Sequence, residues 1–221
     1  MQIILGVLTE GLVYAILSLG VYITYKILDF PDLSVDGTFP LGAAVTVAMI
    51  LMGVPIPLAM LVATAAGVIF GAITGIINVE FKIRDLISGI IVMTALYSVN
   101  LRIAGKANVP LFSKQTLFEN DVLAKIFPEG MKQYSNLIIL IIIVLIAKIL
   151  LDFYLKTKSG FLLRAVGDND VLVTSLAKDK GNVKILCLAI ANGLAALAGS
   201  VYCQMNGFFE ISMGTGTVVI G

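Results

Sequence analysis

The sequence predicts an all-α polytopic membrane protein, and three observations carry that prediction. Of its 221 residues, 59% are hydrophobic and 13% are charged, against roughly 45–50% and about 25% in soluble domains. The mean hydropathy is +1.03. The apolar residues gather in six runs, most of them close to the roughly 20 residues that cross a hydrocarbon core of about 30 Å. Residues 1–221 read as a single membrane domain of about six or seven transmembrane helices, with one broken segment near Pro31–Pro40 and a short cytoplasmic helix.

The first run, Ile3–Tyr25, has no basic n-region and no convincing small-residue cleavage site, so it is read as a retained span. After it comes FPDLSVDGTFP, which holds Pro31, Gly37 and Pro40 with Asp32 and Asp36, just beyond Asp29. Such a stretch cannot be a regular lipid-facing helix. It must line a polar cavity, pack against protein or lie at the interface. It leads into a short run, Gly37–Gly53. Pro57–Val79 follows, with Gly67, Gly71 and Gly75 one turn apart. Leu86–Gly105 carries Asn100 and Arg102 near its end, and Asn136–Phe153 is almost pure Ile, Leu and Val. The last run, Lys184–Cys203, has its own small-residue ridge at Ala191, Ala195 and Gly199. Ridges of this kind let helix backbones approach closely, within one chain or against a second copy.

Between the last two runs lies a polar segment, Tyr154–Gly181, read with its margins as a loop over residues 154–183. It contains a well-marked short helix. Asp168 or Asn169 can cap its N-terminus, with Asp170 in the first turn, Lys178 and Lys180 in the last, and Gly181 able to take the left-handed position beyond it. Leu172 and Leu176 lie one turn apart, as do Val173 and Ala177, so the helix has an apolar face. A short amphipathic helix on the membrane surface suits a cytosolic partner. With the N-terminus outside, the inner loops hold Lys26, Lys82, Arg84, Lys156, Lys158, Arg164, Lys178, Lys180 and Lys184. The outer segments hold Arg102, Lys106, Lys114, Lys125 and Lys132. The excess of basic residues inside favours this orientation and puts the helix in the cytosol.

Several chemistries are excluded. Net charge of +1 and the lack of a basic stripe give no field for nucleic acid. There is no histidine, so His-based catalysis and His-ligated metal sites are out. Asp29, Asp32 and Asp36 lack the EF-hand spacing, and no metal site is predicted. A capping role for Ser34 or Asp36 at the next helix is the plainer reading of that cluster. The Gly214–Gly216 run is too short for a phosphate loop, and no Walker A or nucleophile-elbow motif occurs. Cys187 and Cys203 are far apart along one helix and read as buried thiols. Few polar residues fall inside spans. Lys148 is read as snorkelling, Asn192 as interhelical glue or pathway lining, and Asn100 and Arg102 as pathway lining or headgroup contacts.

The segment Gly160–Asn169, GFLLRAVGDN, together with Val183–Gly199, resembles the membrane-spanning permease subunits of bacterial ABC importers. That class includes branched-chain amino acid, ribose and nucleoside permeases. Asp29–Gly42 and Met93–Ile103 are similar to the branch linked to tryptophan and tyrosine uptake. The resemblance implies a bacterial cytoplasmic-membrane protein with no ATPase site or cofactor of its own. ATP and Mg would be bound by a partner ATPase docked on the coupling helix, Asp168–Lys180. It also implies an extracytoplasmic solute-binding lipoprotein and a second permease copy. Carried over onto this chain, Arg164, Gly167, Asp168 and Asn169, with Leu172 and Leu176, become the coupling residues. Pro31, Asp32, Ser34, Asp36, Asn100 and Arg102 are the pathway candidates. Gly67, Gly71, Gly75, Ala195 and Gly199 are the helix-packing positions. Relative to that family the chain reads as truncated, ending in the first turn of a helix at Thr217–Gly221. The competing classes are a nucleoside or sugar permease of the same kind, a secondary transporter, or a membrane scaffold. A secondary transporter calls for a second interrupted segment, and GFFEISMGTG is the one candidate in the second half.

Overall fold

A computed structural model of the chain describes residues 2–111, 114–118, 132–168 and 180–220. α1 (Gln2–Val21) widens into a π-helical turn at Tyr22–Ile27. After the break come α2 (Val35–Leu51), α3 (Ile56–Val79) and α4 (Asp85–Ala104). A short strand, β1 (Asn108–Pro110), precedes α5 (Lys132–Leu155) and the surface helix α6 (Lys158–Asp168). α7 (Lys180–Asn206), β2 (Phe208–Glu210) and the turn of helix α8 (Thr217–Ile220) complete the order. β1 and β2 pair antiparallel, with Val109 opposite Phe209.

Five helices are long and apolar enough to cross a membrane: Ile3–Ile27, Ile56–Val79, Asp85–Ala104, Tyr134–Leu155 and Gly181–Asn206. α2 is equally apolar but shorter, since the break takes up the residues that would have extended it. The all-α polytopic architecture expected from composition is therefore present. α2 begins at Val35, two residues before the expected start.

α7 is the hub. Two-thirds (67%) of its span window is buried, against 17–28% for the other four spans. Its neighbours fit because they lack side-chain bulk where they cross it. A Cβ at Gly42 of α2 would strike the Ala196 carbonyl oxygen, and one at Gly199 of α7 would strike that of Phe39. Gly67, Gly71 and Gly75 of α3 sit against Asn192, Leu188 and Ile185. The glycine ridge of α3 thus packs within the chain, along α7, as small-residue ridges do where lipid is as apolar as leucine. Ala195 is likewise buried.

Contacts also fix helix directions. Cys187 Sγ lies 3.6 Å from the Ile23 carbonyl oxygen, Gly20 abuts Ala191, and the Tyr14 and Tyr202 rings pack at 6.0 Å. Residue numbers fall along α1 as they rise along α7, so the two are antiparallel. α2 runs parallel to α7, with Thr38 bonded to Asn192 and Thr46 to Ser200. The outer faces of α3, α4 and α5 expose Leu61, Ile69, Ile91, Leu101, Ile146 and Leu150, an apolar surface suited to lipid.

Candidate functional site

The break is built by local backbone geometry. In the π-turn, Leu28 N–H donates to the Ile23 carbonyl (3.1 Å) and Phe30 N–H to that of Thr24 (2.9 Å). Asp29 then takes a left-handed conformation, φ +56°, which an aspartate adopts more readily than most residues. Pro31 follows, and a proline cannot donate to continue the helix. π-bulges of this kind concentrate at functional sites.

The break turns Asp32 into the protein interior, where it is fully buried. Its Oδ1 accepts from Ser34 N–H (2.8 Å) and Ser34 Oγ (2.6 Å), and its Oδ2 accepts from Asn192 Nδ2 (2.8 Å). Asn192 gives its second N–H to the Leu188 carbonyl (3.0 Å). Its Oδ1 faces Thr38 Oγ1 at 2.7 Å and Ser34 Oγ at 3.0 Å. Ser34 has one hydroxyl proton, so it serves either Asp32 or Asn192 at a given moment. No cation is paired with Asp32 among the described residues; the carboxylate is held by neutral donors alone. On its other side the break rests on α4. A Cβ at Gly89 would come within 2.8 Å of Leu33 N and 3.3 Å of Asp32 Oδ1.

Asp36 does something different. Pro40 has no N–H to give the Asp36 carbonyl, and Gly214 sits in the resulting notch, against that carbonyl and the proline ring. The Asp36 carboxylate then receives Gly216 N–H (2.9 Å) on Oδ2, and Thr217 Oγ1 (2.8 Å) and Val218 N–H (2.9 Å) on Oδ1. It caps α8, not the helix it belongs to. Ser34 precedes α2 without a side-chain capping bond; its hydroxyl is taken by the cluster.

The other pathway candidates separate. Asn100 points inward, donating from Nδ2 to the Gly37 carbonyl (3.0 Å), with its buried Oδ1 unpartnered. Arg102, half a turn on, is exposed. Pro31 is part-buried at the bend. Lys148 pairs with Asp152 at 2.7 Å, one turn nearer the end of α5. Cys187 and Cys203 are free and buried. Among the described residues no group of His, Cys, Asp and Glu could hold a metal ion.

The segment expected to carry coupling is helical earlier than its sequence suggested: GFLLRAVGD lies within α6. Leu163 and Val166 are buried in one cluster with Ile23, Leu28, Phe30, Leu155 and Cys187. Arg164 and Asp168 are exposed. Gly167 is seated on the chain just before the break, where a Cβ would strike the Ile27 carbonyl oxygen and crowd Leu28. Asn169, Leu172 and Leu176 lie outside the described residues. α6 is thus packed directly on the π-turn and the break. Sequence reasoning missed Thr38 and Gly89. Thr38 stands one turn beyond Ser34 on the same face, a spacing that would have found it. Gly89 follows Ser88 as a small-residue pair in an otherwise apolar helix, a weaker signal.

The family described as the branched-chain amino acid transport system permease component matches residues 3–221. The chain is 45% identical over 218 residues to a tyrosine transport system permease protein of Clostridioides difficile (strain R20291), covering 99% of this chain and 70% of that one. It is 37% identical over 226 residues to an uncharacterized protein of Rickettsia prowazekii (strain Madrid E), covering 100% and 75%. A guanosine ABC transporter permease protein of Bacillus subtilis (strain 168) is 29% identical over 177 residues, covering 77% and 51%. No solved structure matches. The chain belongs to this permease family and is a multi-pass membrane protein.

Proposed function

We propose that the chain is the solute-path subunit of an ATP-driven importer and that α6 carries the movement of a separate ATPase to the break. The observation behind this reading is the seat of Gly167 on Ile27 and Leu28. A displacement of α6 reaches the π-turn through direct backbone contact. From there it reaches Asp32, which is bonded to Asn192 on the central helix. Rigid-body rocking of packed helices about such contacts is one of the established ways in which transporters switch.

Arg164 and Asp168, both exposed, form the described part of the docking surface, and the sequence adds Asn169, Leu172 and Leu176; Gly167 instead seats α6 on Ile27 and Leu28. ATP and Mg belong to the partner ATPase. An extracytoplasmic binding protein delivers the solute, and a second copy of the permease completes the path. The N-terminus faces outward, so α6 faces the cytosol; the distribution of basic residues supports this. Asp32, Ser34 and Asp36 shape the path at the break, while Arg102 stands exposed nearer its outer end. The solute is an amino acid, and the tyrosine permease named among the relatives supports an aromatic one. A nucleoside is the second reading, supported by the guanosine permease.

The test uses the full-length protein. Arg164→Glu with Leu172→Asp should leave membrane insertion intact and abolish copurification of the ATPase encoded beside it. An ATPase that still copurifies with the double variant would overturn the docking assignment.

A further inference from the structure

The two interrupted segments of this chain are variants of one sequence. Phe30-Pro31-Asp32-Leu33-Ser34 is matched by Phe208-Phe209-Glu210-Ile211-Ser212. Beyond them, Gly37-Thr38 and Leu41-Gly42 are matched by Gly216-Thr217 and Ile220-Gly221, with one residue more in the second segment. Each segment directly follows a long helix, the first after Ile27 and the second after Asn206. Each repeats one local bond: Ser34 Oγ to Asp32 Oδ1 at 2.6 Å, and Ser212 Oγ to Glu210 Oε1 at 2.6 Å.

The packing repeats in part. α2 follows the first break and lies on α7. α8 follows the second and lies on α1 and on α2, with Val218 against a cluster that holds Val13, Ile16 and Leu17 of α1 and Val35 and Phe39 of α2. Since α1 and α7 are antiparallel, the two units are related by inversion across the membrane. The surroundings of the two acids differ: Glu210 lies in β2, opposite Asn108 of β1. Asp32 is fully buried and bonded to Asn192, whereas Glu210 is exposed. Asn192 precedes Glu210 by the same number of residues as Tyr14 precedes Asp32. Tyr14 is therefore the counterpart of Asn192, and here its ring is stacked on Phe39 of α2, at 6.4 Å.

We propose that α1–break–α2 and α7–break–α8 form an inverted repeat whose two acids are alternating latches. Asp32 on Asn192 is the latch closed here. Glu210 closes on Tyr14 when the first one opens. Two units of like sequence in unlike conformations are one recurring basis of alternating access, because exchanging the conformations turns the path from one side of the membrane to the other. The alternation rests on reading the chain as a permease; the repeat itself does not.

The experiment needs neither ATPase nor solute. In the full-length protein in membranes, with Cys187 and Cys203 replaced by alanine, single reporters Leu33→Cys and Ile211→Cys are labelled with a membrane-permeant maleimide. Asn192→Leu opens the first latch. It should raise the labelling rate at position 33 and lower it at position 211, each by about threefold or more, as a shift between two states demands. Adding Glu210→Gln should move both rates back toward their starting values. If Asn192→Leu fails to accumulate, Thr38→Val removes one bond to the same asparagine, keeps its shape, and should shift both rates in the same directions. Faster labelling at 33 with no change at 211, or no reversal by Glu210→Gln, would overturn the proposal. Reciprocal labelling in a protein that binds no ATPase would sink the importer reading and leave the latches standing.

Discussion

Asn192→Leu is the most informative single perturbation of the buried cluster. Leucine keeps the branched outline of asparagine but offers no donor and no acceptor. Asp32 Oδ2 loses the bond from Nδ2, now 2.8 Å. A hydrogen bond to a charged group contributes about 1.5–3 kcal/mol, and its loss leaves a buried charge less compensated. Ser34 keeps Asp32 as acceptor (2.6 Å) and Thr38 keeps the Val35 carbonyl (3.3 Å), so those hydroxyls add little. The expected cost is about 2–4 kcal/mol. Asp32→Asn should also destabilise, because an amide nitrogen or a weaker acceptor would then face the Ser34 donors. Combined, the two changes should cost less than their sum by about 1.5 kcal/mol or more, since the neutral residue no longer needs the missing donor. Equilibrium unfolding of the four proteins in bicelles measures this coupling. Costs additive within about 0.5 kcal/mol would refute the claim that the pair acts as a unit.

Other outcomes follow from the same geometry. Gly42→Ala and Gly199→Ala place a methyl group against backbone carbonyls that cannot rotate away, so each should cost about 3 kcal/mol or more in thermal stability. Gly6→Ala and Gly11→Ala, which meet nothing within 4 Å, should be neutral or slightly stabilising in the same assay. Asp36→Asn removes the charged acceptor of Gly216 and Val218, and hydrogen exchange at those two amides should rise while that of α2 stays unchanged. Asn100→Leu sacrifices one bond to Gly37 but also deletes a buried, unpartnered oxygen; its unfolding free energy should change by less than about 1 kcal/mol.

How much of this could be read from the sequence depends on the range of the interaction. The spans were legible because apolar run length is a local property, and the break because Pro31 and its neighbouring aspartates sit side by side. The separate fates of the aspartates were not. Asp32 pairs with Asn192 and Asp36 with Gly216–Val218, and nothing near either residue marks a partner so far along the chain. Asn100 was legible as an intramembrane polar group, but its direction is set by the stripe of Ser88, Val92 and Leu96 that faces α2 with it. α6 was hidden for another reason. Its stretch GFLLRAVGD carries the family resemblance, and its buried face rests on only two large apolar positions one turn apart, Leu163 and Val166, too short a pattern to mark a helix by itself. The glycines of α3 signalled close packing, while the identity of the facing helix came only from the assembled bundle.

The most direct test of the account concerns the contact between α6 and the break. In the complex of the full-length protein with its ATPase and binding protein, ATP hydrolysis is measured with and without solute, for wild type and for Gly167→Leu. The account predicts that the variant still binds the ATPase but loses stimulation by solute, because the larger side chain lifts α6 off Ile27 and Leu28. Undiminished stimulation in the variant would contradict it.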